Sequence, residues 1–136
     1  MASLLGAGYE RDSQGRKLFS ANGAPIYNRD LVSWGSAIPK WIGGWTNALN
    51  YKGFRLSTLI DFKFGHKLIS ATNYNLWRHG LHKGTLAGRE GGVIGEGVTE
   101  DGAVNTTPME ASAYYGTIRN ITSFVEDFVY NAGFLK

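Results

Sequence analysis

The chain has 136 residues, 43% hydrophobic and 18% charged, a balance that argues against wholesale disorder. Its net charge of +3 is small and its basic residues are scattered, which speaks against nucleic-acid binding; the lack of cysteine excludes disulfides and cysteine–zinc sites. Aromatics at 13%, with 19 glycines and only 3 prolines, favour strands and turns over packed helices.

No stretch approaches the roughly 20 apolar residues of a membrane helix. That limit does not apply to barrel strands, which are short and alternate in polarity. Met1-Ala2-Ser3-Leu4-Leu5-Gly6 has neither the basic start nor the apolar core of a signal peptide. If the protein is exported, its leader is expected upstream of this stretch.

Residues 1–40 are dense in turn signals. Asp12-Ser13-Gln14-Gly15 and Asn22-Gly23 lie between short mixed segments. Arg16-Lys17-Leu18-Phe19 and Pro25-Ile26-Tyr27 are expected to form a small hairpin around Asn22-Gly23.

The clearest pattern runs through residues 41–65. Trp41 to Tyr51 reads as one strand, Lys52-Gly53 as a tight turn and Phe54 to Phe64 as a second strand. Along the second, Phe54, Leu56, Thr58, Ile60, Phe62 and Phe64 fall on one face, and Arg55, Ser57, Leu59, Asp61 and Lys63 on the other. On the first, Trp45, Leu49 and Tyr51 share a face with Asn47, opposite Thr46, Ala48 and Asn50. Eleven positions match the roughly 9–11 residues of a tilted membrane strand.

Residues 66–123 are weakly patterned and predict a long loop. Gly88 to Gly97 contains five glycines, Asp101-Gly102 marks a turn, and Pro108 to Ala113 suits a short helix. From Phe124 apolar character returns through Val125, Phe128, Val129 and Tyr130 to Phe134 and Leu135, the expected start of a further strand at 124–136.

Chemical motifs are sparse. His79 and His82 are three apart, but no nearby carboxylate completes a metal motif with them or with His66; exposed loop histidines are the expectation. The Gly88–Gly97 run lacks the Gly-Lys-Ser/Thr of a phosphate loop and reads as a flexible loop. Glu96, Glu100, Asp101 and Glu110 are candidates for a glycosidase-type carboxylate pair, with nothing to single out two of them. Asn105-Thr106-Thr107 and Asn120-Ile121-Thr122 match a glycosylation sequon too short to carry weight. No catalytic, cofactor-binding or metal-ligating residue is assigned, and none is assigned to substrate. The expectation is a protein that is not an enzyme. Trp34, Trp41, Trp45, Tyr51 and Phe54 gather near the ends of the hairpin, where core packing and a membrane-interface girdle fit equally well.

Pro39-Lys40-Trp41-Ile42-Gly43-Gly44-Trp45-Thr46-Asn47, then Tyr51-Lys52-Gly53-Phe54-Arg55-Leu56 and Asp61-Phe62-Lys63-Phe64-Gly65, resemble the SusC/RagA family of TonB-linked outer-membrane proteins. Phe128-Val129-Tyr130-Asn131-Ala132-Gly133-Phe134-Leu135-Lys136 resembles that family's approach to its late barrel strands, with Asn131 and Gly133 where the family tends to have Asp and Ser. The likeness extends from about Gly8 onward and is specific at 39–65 and 128–136. Nothing in this stretch resembles the family's plug or TonB box.

The resemblance implies an all-β fold, part of a transmembrane β-barrel with antiparallel strands and a long extracellular loop, incomplete as a chain. It also implies a TonB-dependent importer of nutrients such as glycans or peptides in the cell outer membrane. The implied partners are outer-membrane lipid, a SusD-like surface lipoprotein and the TonB complex, with no cofactor. The short turn at Lys52-Gly53 would be periplasmic. The competing reading is a small soluble β-sandwich that binds carbohydrate, since core-versus-solvent and lipid-versus-lumen alternation share one period.

Overall fold

The computed structural model describes residues 2–118 and 124–136. Strand outweighs helix, 41% to 15%, which is compatible with an all-β class, and no barrel is closed among the described residues. In chain order the elements are β1 (Ser3–Gly6), β2 (Leu18–Phe19), β3 (Val32–Ser36), β4 (Trp41–Tyr51), β5 (Phe54–Phe64), β6 (Lys67–Ile69), α1 (Ala71–Arg78), β7 (Val98–Thr99), α2 (Ala111–Gly116), β8 (Val129–Asn131) and β9 (Phe134–Leu135). The chain divides into two compact units. One holds the N-terminal residues up to Leu4 with Trp34–Ile69 and Val129–Lys136; the other holds Leu5–Ser33 and Ser70–Phe128.

In the first unit β4 and β5 pair antiparallel along their whole length, from Trp41 opposite Phe64 to Tyr51 opposite Phe54. The turn between them is set by Lys52 and Gly53, both at positive φ (44° and 87°). Two left-handed residues give the type I′ geometry whose twist matches that of the flanking strands, and glycine takes the second position without a Cβ penalty.

The other edge of β5 is occupied by the end of the chain. Asp61 and Lys136 exchange two backbone hydrogen bonds of 2.8 Å, and Phe62 and Lys63 stand opposite Leu135 and Phe134. The same ladder resumes between β6 and β8, from Lys67 opposite Asn131 to Ile69 opposite Val129. Between Lys63 and Lys67 lie three residues, but only two lie between Phe134 and Asn131. This is a one-residue bulge, at which Gly65 takes φ +79° and Ala132 N–H donates to the His66 carbonyl. The strand expected at 124–136 is therefore two short pieces, β8 and β9, because their partner strand bends at Gly65-His66. The free edge of β4 has no strand neighbour among the described residues.

The second unit holds the core. Every buried apolar residue among those described belongs to it: Phe19, Tyr74, Val98, Tyr115, Phe124, Val125 and Phe128 form its larger part. The small hairpin expected around Asn22-Gly23 is present, with Ile26 N–H donating to the Leu18 carbonyl and Gly23 N–H to that of Ser20. It carries β2, which pairs in parallel with β7. Rings interlock in the core: Phe124 lies 4.9 Å from Tyr9, 4.5 Å from Tyr27 and 6.3 Å from Phe128, centroid to centroid.

The stretch 66–123 corrects the expectation of an irregular loop. Ser70 caps α1, its Oγ accepting from Asn73 N–H at 3.2 Å. Gly80, at φ +68°, ends the helix: Leu81 N–H bonds Leu76 carbonyl and Gly80 N–H bonds Trp77 carbonyl, a Schellman motif. The helix expected near Pro108 begins later, at Ala111, because the Glu110 carboxylate accepts from Ser112 and Ala113 N–H. What makes the segment ordered is burial of Tyr74, Thr85, Val98, Asn105 and Tyr115, an aperiodic set that no strand or helix template detects.

Candidate functional site

The antiparallel register decides which side chains share a face of the hairpin. Directly opposed residues point the same way, so Trp41, Gly43, Trp45, Asn47, Leu49 and Tyr51 join Phe64, Phe62, Ile60, Thr58, Leu56 and Phe54. Nine of these twelve are large apolar or aromatic residues. The opposite face carries Thr46, Asn50, Arg55, Ser57, Asp61 and Lys63 among smaller and apolar side chains.

Most of the apolar face is open to solvent: Trp41 is 69% exposed, Trp45 61% and Phe54 81%. The first unit contains no buried residue among those described. A two-stranded hairpin is at best marginal in water without a covered face. So large an apolar surface marks a place where something apolar packs. Register also separates the aromatics into two groups. Tyr51 and Phe54 flank the turn; Trp41, Phe64 and Trp45 lie at the other end. Trp41 and Tyr51 are ten residues apart, about 34 Å along a strand.

A second feature lies within the other unit. A cleft of about 330 Å³ is lined by Arg78, His79, Thr85, Arg89, Glu110 and Tyr115, among others. The last turn of α1 delivers Arg78, and the capping role of Glu110 fixes the opposite wall. Arg89 donates through Nη2 to the Gly80 carbonyl, and Arg78 through Nη1 to Tyr74 Oη at 3.5 Å. Neither arginine forms an ion pair among the described residues. The Ser112 hydroxyl and the N–H groups of Ser112 and Ala113 hold the Glu110 carboxyl below the usual carboxylate range. The cleft thus offers two guanidinium groups and one engaged carboxylate, chemistry suited to a polar or anionic group. The sequence reading passes over Arg78, Arg89 and Tyr115; the only local signal is the Ser70 cap and Gly80 stop that place Arg78 at a helix end.

The residues weighed from sequence are dispersed. His66 sits in the first unit, His79 at the C-cap of α1, and His82 stacks on Trp77 at 4.7 Å while its Nδ1 accepts from Gly84 N–H. His82 is half-buried, so only His79 matches the expected exposed histidine. No group of three potential metal ligands assembles among the described residues. Asp101 accepts from the Thr99 hydroxyl within its own turn, and Glu96 and Glu100 are exposed.

Two other expectations change. The Gly88–Gly97 run packs closely instead of flexing: a Cβ at Gly95 would stand 2.1 Å from the Phe19 ring, and one at Gly97 would stand 2.2 Å from the Lys17 carbonyl oxygen. Asn105 is buried and donates to the Gly95 carbonyl at 2.9 Å, so this sequon asparagine serves the core. The sequon at Asn120 lies outside the described residues. No protein-family model matches the chain, and no curated protein matches it.

Proposed function

We propose that this chain is part of a TonB-dependent outer-membrane transporter, with β4 and β5 as membrane-spanning barrel strands. The observation that carries the reading is the fully exposed apolar face of an eleven-residue hairpin whose unit buries nothing. In a bilayer that face contacts lipid, and Arg55, Asp61 and Lys63 face the polar interior. Tilted at about 45°, the Trp41–Tyr51 span projects to about 24 Å, close to the roughly 25 Å apolar band between aromatic girdles. Antiparallel neighbours β4, β5 and β9, with a two-residue turn at one end and a long connection at the other, follow barrel wiring. The likeness of residues 39–65 and 128–136 to the SusC/RagA family supplies the transport role. Its substrates would be glycans or peptides, with a SusD-like lipoprotein and the TonB complex as partners.

In this reading the connection between β6 and β8 faces outward. Its cleft of Arg78, Arg89 and Tyr115 is a contact for imported ligand. The competing soluble carbohydrate-binding sandwich leaves the hairpin face uncovered. Two measurements test the proposal. In vesicles, brominated lipid should quench Trp41 and Trp45 emission; full exposure of both to aqueous iodide would overturn the membrane assignment. Sequencing the gene on either side should find a signal peptide and plug before this stretch and further amphipathic strands after it. A start at Met1 and a stop after Lys136 would overturn the transporter.

A further inference from the structure

At the end of the hairpin remote from its turn, a cleft of about 510 Å³ is lined by Lys40, His66 and Lys67, together with Phe64. All four belong to the first unit. No aspartate or glutamate lines the cleft among the described residues, and neither lysine forms an ion pair there. The two lysines are held in similar ways. The Lys67 stem lies over Gly35, where a Cβ would stand 3.2 Å from its Cδ. The Lys40 stem lies over Gly65, where a Cβ would stand 3.0 Å from the lysine Cβ. Both glycines have positive φ, 122° and 79°. Glycine at these places leaves room for a lysine stem to lie flat against the backbone. The Nδ1 of His66 is shielded from solvent and has no hydrogen-bond partner among the described residues. Such orphans are uncommon, and an ion or water commonly completes them.

Three basic side chains with no acid among them make a site for an anion. Its position favours one anion over others. Lys40 adjoins Trp41, the first member of the exposed apolar face, and Phe64 belongs to both the face and the cleft. A molecule carrying a phosphate and an acyl chain touches both surfaces at once; a free anion touches one. We propose that the cleft of Lys40, His66 and Lys67 binds the phosphate of an anionic lipid headgroup at the membrane–water boundary. The inference rests on the membrane assignment of the hairpin.

The test uses the full chain and tryptophan-monitored partitioning into two vesicle types, phosphatidylcholine alone and an equimolar mixture with phosphatidic acid. Wild type should prefer the mixture. Basic residues near an anionic surface contribute about fivefold each. The K40Q/K67Q pair should therefore lose about 25-fold of that preference, with partitioning into phosphatidylcholine unchanged. A K52Q/K83Q pair, equal in charge, should keep most of it. Equal losses in the two pairs would overturn the site in favour of general charge attraction. Complete competition by inorganic phosphate would overturn the lipid as its source. Partitioning into phosphatidylcholine with no dependence on Lys40 and Lys67 would sink the cleft and leave the membrane assignment standing. Failure to enter phosphatidylcholine, with lysine-dependent binding to the mixture, would sink the membrane assignment and leave the headgroup site standing.

Discussion

The Phe62 ring lies across Gly43 of the neighbouring strand, so close that a Cβ there would stand 2.5 Å from the ring Cζ. Glycine in a strand leaves backbone uncovered, and a cross-strand aromatic that shields it is a known stabilising pair. Because Phe62 is only half-buried, its ring can swing aside. Gly43→Ala should therefore cost about 1 kcal/mol, at the low end of overpacking. Urea or guanidinium unfolding in detergent would measure it; a loss well above that would mean that Phe62 is held from both sides.

Gly97 gives the contrasting case. Its Cβ position lies 2.2 Å from the Lys17 carbonyl oxygen, and backbone within the β2–β7 pair cannot swing away. Gly97→Ala should cost about 3 kcal/mol or more, the upper range of overpacking. Equilibrium unfolding followed by Trp77 fluorescence reports on this unit, and an unchanged midpoint would mean that the two segments are not in register.

Ser70 supplies a smaller, separable effect. Its Oγ satisfies Asn73 N–H at the start of α1. Ser70→Ala should cost about 1 kcal/mol and Ser70→Asp should restore most of it. Equal loss in both variants, read from unfolding midpoints, would show that packing and not the cap governs this helix start.

Alkaline pH should unfold the second unit from within its core. Burial pushes the Tyr27 phenol up to about 12 from 10.0. Burial, then the Asp127 charge that accepts its hydrogen bond at 2.6 Å, raises the Tyr9 phenol as well. A raised folded-state value means that the neutral phenol is favoured in the folded state. The stability it contributes is complete below pH 10 and is lost as pH climbs through about 12. Circular dichroism together with phenolate absorbance should show unfolding and ionisation rising together in that window. Tyr27→Phe should move the unfolding upward; coincident curves for variant and wild type would remove Tyr27 as a cause.

The exposed hairpin face predicts behaviour in two solvents. In water without detergent the chain should sediment as aggregate, since its apolar face and the β4 edge are both open. A monodisperse aqueous species in the ultracentrifuge would count against the barrel. In a bilayer, Ile60→Arg should destabilise by about 2–4 kcal/mol if Ile60 lies near the midplane. An unchanged folding free energy would put Ile60 off the lipid face.

The sequence alone determined the hairpin. Strand alternation and the Lys52-Gly53 turn are near-neighbour properties, so Trp41–Tyr51 and Phe54–Phe64 were legible without any distant contact. Residues 66–123 were not legible, because their order comes from contacts made across the chain. Asn105 looks like a sequon until Gly95 accepts its amide, and the Gly88–Gly97 run looks loose until Phe19 fills the space that its glycines leave. The bulge at Gly65-His66 exists only relative to Ala132-Gly133, and it is in this region that Lys40, His66 and Lys67 line one cleft. Local periodicity set which side of the hairpin is apolar; only tertiary packing decided that none of it is buried, since burial depends on which distant segments reach a surface.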